Sequence, residues 1–162
     1  MNRHRAALRI GVARRRAQYS RNMPEESTTP DPAELTRRAF EAVNQRDIDA
    51  VMSFFAPHAV LDGRAVGGVY EGRAAIRGFL DDWFDSFAEL RMEAEELVVL
   101  DDGVVLAVVK QEGRPVGVDG QVHQREAWAI CWSADGLLVR LTTHTDLDEV
   151  RAAAERLAES RR

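Results

Sequence analysis

Three groups of residues in this 162-residue chain have types and spacing suited to chemistry. The first is Asp62, a carboxylate that closes the short apolar run AVLD and precedes the glycine-containing stretch GRAVGG. Partly withdrawn from water, such a carboxylate ionises less readily and can move a proton beside a carbonyl; left in water it is a turn residue. The second is Glu126, within GQVHQREAWAICW (120–132). Alternation there puts Gln124, Glu126, Trp128, Ile130 and Trp132 on one face, and His123, Arg125, Ala127, Ala129 and Cys131 on the other. The large apolar members turn the first face inward. Glu126 is then an inward carboxylate, either a site group or the partner of an arginine such as Arg64. The third is His144-x-Asp146, two potential metal ligands with no third of convincing spacing, so no metal is expected. Asp146 also stands where a helix N-cap belongs.

The elements that position these residues are legible in the hydrophobic spacing. Asp31-Pro32 supplies an N-cap and a favoured first helical residue, and Leu35, Ala39, Ala42 and Val43 carry a helix to about Gln45. Asp47 caps a second, short helix with Ile48, Val51, Met52 and Phe55 on one side, which Pro57 stops. A strand over 59–62 and a loop over 63–72 lead to a third helix, about 73–88, burying Ile76, Phe79, Leu80, Trp83, Phe84 and Phe87. After Glu89 the period changes to two. Runs at 90–100, 104–112, 120–132 and 137–145 read as four long strands, separated by the turn sequences DDG, GRPVGVD and SADG. A last amphipathic helix covers about 147–159. The fold class is therefore α+β: three N-terminal helices held inside a curved, mostly antiparallel sheet, a cone with an open mouth where a pocket can form.

Bulk properties narrow the function. The single cysteine, Cys131, excludes an internal disulfide and a cysteine-cluster zinc site. No apolar run approaches the ~20 residues of a membrane span. Residues 1–22 hold seven arginines and no acid, which leaves 15 basic against 27 acidic residues in the remainder, a net of −12. An acidic domain is a poor match for nucleic acid. The basic leader reads as an arm for nucleic acid or a membrane surface, a transit segment, or the product of an upstream start with Met23 opening the usual chain. Residues 1–31 are accordingly expected to be a disordered extension and linker, and 32–159 the domain. No phosphate-cradling loop, G-x-G-x-x-G or G-x-S-x-G element occurs, so no cofactor is expected. The reading is of a soluble, cytoplasmic protein without nucleic-acid or membrane partners.

The stretch AFEAVNQRDIDAVMSFFAPHAVLDGRAVGGVYEGRAAIRGFLDDWFDSF, with Tyr70, Gly72, Arg73, Ile76, Arg77 and Phe79 in its last part, resembles the opening of SnoaL-like proteins of the nuclear transport factor two-like superfamily. REAWAICWSADGLLVRLTTHTDLDEV resembles the family's last two strands and closing helix; the likeness spans about 33–157. It implies the cone, and a function among ketosteroid isomerases, polyketide cyclases, epoxide hydrolases, dehydratases or non-catalytic binders. In the isomerases a general-base aspartate ends the strand after the second helix. An ungapped match from Asp47 puts Gly63 there and Asp62 one residue early, and one residue flips a strand side chain to the other face. The isomerase oxyanion acid corresponds to Trp128, and the first-helix tyrosine falls in the region of Arg38 and Phe40, which disfavours a steroid-isomerase mechanism. The epoxide hydrolases' Asp–Arg–Asp set has candidates in Asp62, Arg125 and Asp119. The resemblance also turns Leu141 and Thr143 of the last strand into the cone and His144 towards an interface or solvent. It implies a homodimer as well, packed through the small-residue face of Ala127, Ala129 and Cys131. Two functions are expected on this basis. One is a cofactor-free enzyme on a small apolar carbonyl compound, with Asp62 or Glu126 moving the proton. Trp83, Phe87 and Trp128 would shape its cavity, with Leu141 and Thr143 facing the substrate, and Tyr70 would donate into the pocket or pack beneath the third helix. The other is a non-catalytic ligand-binding or dimerisation module.

Overall fold

A computed structural model describes residues 30–63 and 67–161. Helix α1 (Pro32–Asn44) begins where Asp31 accepts a hydrogen bond from the Ala33 N–H at 3.2 Å. Helix α2 (Ile48–Ser53) is capped in the same way by Asp47, which accepts from Ala50 N–H at 3.1 Å. It ends before the expected stop at Pro57, because that proline lies inside strand β1 (Phe55–Gly63). The ladder to the neighbouring strand shifts register between Phe55 and Val60, so the missing N–H of Pro57 falls where the pairing is already irregular. The expected loop over 63–72 contains a short strand, β2 (Gly68–Glu71), antiparallel to β1.

Helix α3 (Arg73–Asp85) stops earlier than the apolar stripe suggested, and Phe87 opens strand β3 (Phe87–Val99). A one-turn 3₁₀ helix at Asp101–Gly103 joins β3 to β4 (Val104–Pro115); β5 (Val122–Trp132), β6 (Leu138–His144) and helix α4 (Leu147–Ser160) follow. The six strands run in the order β2-β1-β6-β5-β4-β3. Every pairing is antiparallel except β1 with β6. The meander was expected; the parallel join that adds β1 and β2 to its far side was not, since parallel partners are distant in sequence and leave no local signal.

Two apolar layers lie on the two faces of this curved sheet. On the concave face Leu35, Phe40, Ile76 and Leu80 from the helices meet Val105, Ile130 and Trp132 from the strands. On the other face Val150, Ala154 and Ala158 of α4 sit on Val104, Leu106, Ala127, Ala129 and Cys131. The small-residue face of β5 is thus covered by the chain's own last helix, whose backbone the alanines allow to come close. A helix, rather than the expected second sheet, lies against that face.

Two side chains lock the helices to the edge strand. The Asn44 amide donates to the Met92 carbonyl at 2.8 Å and accepts from the Met92 N–H at 2.7 Å, serving backbone groups that no further strand reaches. Arg46, which adopts the left-handed region at φ 56°, donates to the carbonyls of Phe84, Phe87 and Ala88. It thereby closes the end of α3 and fixes the entry into β3.

Candidate functional site

Strand β5 brings the central carboxylate to the concave face. Glu126, Trp128, Ile130 and Trp132 alternate inward, and Ile130 and Trp132 belong to the inner core with Trp128 packed against it. Glu126 is 5% exposed. One of its oxygens accepts from the Gln124 side-chain amide at 2.9 Å and the other from the Trp128 indole N–H at 2.8 Å. Both donors are neutral, and among the described residues no cation pairs with this carboxylate. Arg64, the arginine considered as its partner, lies outside the described residues. Burial pushes the Glu126 carboxyl above the ordinary glutamate range, and the Trp128 hydrogen bond offsets only part of that.

The neighbouring inward positions are mixed. Thr143 stands opposite Trp128 in the β5–β6 ladder, is buried, and its hydroxyl has no hydrogen-bond partner among the described residues. Leu141, opposite Ile130, belongs to the inner core. Gln111 of β4 is buried and opposite Gln124. Neither glutamine drew attention in the sequence as a site residue, although the same alternation that selects Glu126 selects Gln124.

Aromatic rings lie between the helices and the sheet. Trp128 packs against Phe40 with centroids 5.3 Å apart. Trp83 contacts Phe87 edge-on at 6.1 Å. The Phe87 ring lies over Gly113, where a β-carbon would come within 2.8 Å of it. Tyr70 stacks on Phe79 of α3 at 4.6 Å, and its hydroxyl folds back over Gly68. Of the two alternatives for Tyr70, packing against the third helix is the arrangement seen.

Asp62 is on the other side of the sheet. It is in register with Thr142, while Leu61 before it joins the inner core and Gly63 after it takes the inward position opposite Thr143. The residue is 5% exposed, and its carboxylate accepts from Arg140 at 3.3 Å. Asp62 and Glu126 are therefore separated by the sheet. Strand alternation alone produces this, since a single-residue offset reverses the face. Arg125 pairs with Glu95 at 2.6 Å and Asp119 is exposed on the β4–β5 turn, so Asp62, Arg125 and Asp119 are not brought together. His144 is buried on the outer face with Nδ1 3.4 Å from Glu149, and Asp146 caps α4 by accepting from the Asp148 and Glu149 N–H groups. Among the described residues no cluster of three His, Cys, Asp or Glu side chains could hold a metal, and no helix is long and apolar enough to cross a membrane.

Comparison with known proteins places this geometry. A family model described as a SnoaL-like domain matches residues 36–141. No curated protein sequence matches the chain. Among solved structures, an NTF2-like protein of unknown function from Burkholderia pseudomallei is 18% identical, with 73% of this chain and 92% of that chain covered at a TM-score of 0.63. The epoxide hydrolase/cyclase-like enzyme SalBIII, from pyran ring formation in the polyether salinomycin, is 23% identical, covering 69% and 88% at 0.62. A Mycobacterium tuberculosis protein in complex with estradiol-17β-hemisuccinate is 16% identical, covering 74% and 97% at 0.64. These likenesses establish the cone fold.

Proposed function

The chain belongs to the SnoaL-like domain family, and on that premise we propose that it binds a small, mainly apolar carbonyl compound inside the cone and moves a proton on it with Glu126. The observation that carries this reading is the environment of that carboxylate: buried, inward, held by two neutral N–H donors, with its pKa raised by burial. A carboxyl group whose pKa is raised by burial is suited to act both as base and as acid within one turnover. Each Glu126 oxygen accepts one bond from its neighbours and keeps a second lone pair for the substrate.

The step needs no cofactor. Glu126 takes the proton from the carbon beside the carbonyl, the C–H electron pair becomes the enolate double bond, and the carbonyl oxygen carries the negative charge. Thr143, whose buried hydroxyl is unpartnered among the described residues, is the donor suited to that oxygen. Return of the proton to a different carbon completes an isomerisation and regenerates the carboxylate. Attack of the enolate carbon on a second carbonyl of the same molecule closes a ring; the C=O π pair moves to oxygen, and that alkoxide takes the proton back from Glu126. Trp83, Phe87, Trp128 and Leu141 supply the apolar surroundings. Neighbours in fold include a cyclase-like enzyme and a protein crystallised with a steroid ester, which supports an apolar, ring-bearing ligand.

The second reading is a non-catalytic binder. It is favoured by one fact: both Glu126 oxygens already accept hydrogen bonds from neighbouring side chains. The two are separated by incubating the protein in heavy water with a panel of cyclic ketones, scoring binding by thermal shift and exchange of the α-hydrogens by NMR. Enzyme-catalysed exchange of a ketone that also raises the melting temperature is expected. Binding of several ketones without exchange of any would leave the binder.

A further inference from the structure

The outer face holds a cavity that the cone chemistry does not use. Helix α4 is fastened through Val150, Ala154 and Ala158 to the β4–β5 side of the sheet, where the floor is apolar. Its opposite edge overhangs β6 and β1, and there the floor is polar: Asp62, Arg140, Thr142 and His144. Between the helix edge and this floor lies a cleft of about 600 Å³, the size of a small-ligand site. Three of its floor side chains, Asp62, Thr142 and His144, are more than nine-tenths buried. Polar groups under a helix cost stability unless they are matched, so such a floor needs an explanation that apolar packing does not give.

Each acid of the cleft has a partner within it: Arg140 reaches Asp62 at 3.3 Å, and His144 Nδ1 lies 3.4 Å from Glu149. What remains is rich in donors. Arg156 lines the cleft and makes no ion pair among the described residues, and the buried Thr142 contributes a hydroxyl to the floor. Arg156 presents a planar fork matched to a carboxylate. The wall beside it is apolar, formed by Ala152, Ala153 and Leu157. We infer that this cleft is a binding site, separate from the cone, for a small carboxylate-bearing ligand with an apolar body. Its carboxylate meets Arg156 with Thr142 beneath it, and its alkyl part lies along the alanine edge of α4. The acidic character of the chain beyond its leader disfavours adventitious anion binding elsewhere, so recognition here is local.

The test titrates the full chain with sodium hexanoate, sodium acetate and inorganic phosphate at fixed ionic strength, followed by calorimetry. Saturable hexanoate binding, tighter than acetate and phosphate, is expected. Arg156→Gln should weaken it at least about tenfold by removing a charge-assisted pair. Ala152→Trp, at an exposed position of α4, should abolish it by filling the cleft. Glu126→Gln, on the opposite face, should leave it unchanged, which keeps this inference separable from the cone reading. Absence of saturable hexanoate binding, indifference to Arg156→Gln, or loss in Glu126→Gln alone would each overturn the assignment. Phosphate binding tighter than hexanoate would overturn the carboxylate specificity.

Discussion

Replacing Glu126 by glutamine is expected to slow α-hydrogen exchange of a bound ketone by ~10²–10⁴-fold, the usual weight of a positioned acid–base group, while ligand affinity changes little. The substitution is nearly isosteric and its surroundings can absorb it. The Trp128 N–H still finds the new amide oxygen, and the Gln124 amide can turn so that its own oxygen accepts from the new amide nitrogen. Structure is thus retained and only the proton is lost. Retention of the exchange rate in Glu126→Gln would show that another group moves the proton.

The same variant carries a pH signature. Burial raises the Glu126 pKa in the folded state above its unfolded value, so between the two values the unfolded chain ionises first. The native state therefore loses stability as pH rises from the unfolded value through the folded one, and below the unfolded value the penalty is absent. Glutamine does not ionise. Denaturant titrations should show the stability of Glu126→Gln relative to the parent improving from acid to neutral pH. A difference independent of pH would mean that the carboxylate is not desolvated.

Trp132→Ala is expected to cost ~3–5 kcal/mol of unfolding free energy, the range for a large aromatic removed from a packed core. The side chain is 1% exposed. Its indole N–H donates to the Thr36 hydroxyl at 3.0 Å, tying β5 to α1, and its ring meets Phe54 edge-on at 6.2 Å. Thr36 is 1% exposed and its hydroxyl donates in turn to the Pro32 carbonyl at 2.7 Å, so the two bonds form a buried chain into the first helical turn. A single domain commonly has only ~5–15 kcal/mol in all, so this change removes a large share. Trp132→Phe keeps most of the packing and loses the hydrogen bond, for about 1 kcal/mol. Urea midpoints measure both, and equal losses in the two variants would show that packing contributes little.

The parts of this fold that were readable in the sequence rest on local rules. The caps at Asp31, Asp47 and Asp146 form as their side-chain chemistry requires. Alternation placed Glu126, Trp128, Ile130 and Trp132 on the concave face because three of the four are large and apolar. Where it misled, two local signals conflicted or a distant one decided. Phe87 continues the apolar spacing of α3, yet its ring is wanted over Gly113 of β4, a contact 26 positions away that periodicity does not contain. Pro57 reads as a helix stop but sits in a strand whose pairing is irregular at that place. The covering of Ala127, Ala129 and Cys131 was read as intermolecular because small residues announce close approach without saying by what. The face of Asp62 turned on one residue of register, which a carboxylate at a strand end cannot report about itself.

The covered cysteine turns the last helix into something that can be timed. Cys131 is 2% exposed beneath α4, burial pushes its thiol up, and beyond the helix Arg161 donates to Sγ at 2.7 Å and to the Trp132 carbonyl at 3.0 Å. An alkylating reagent reaches that sulfur only in the fraction of molecules whose C-terminal segment has peeled away, so the labelling rate is a clock for the fraying of one end of the chain. Labelling of the native protein should lag far behind that of the urea-unfolded chain, and Arg161→Ala should quicken it without changing the unfolded rate. Mass spectrometry of the alkylated chain reads both rates, with Cys131 as the sole thiol to follow.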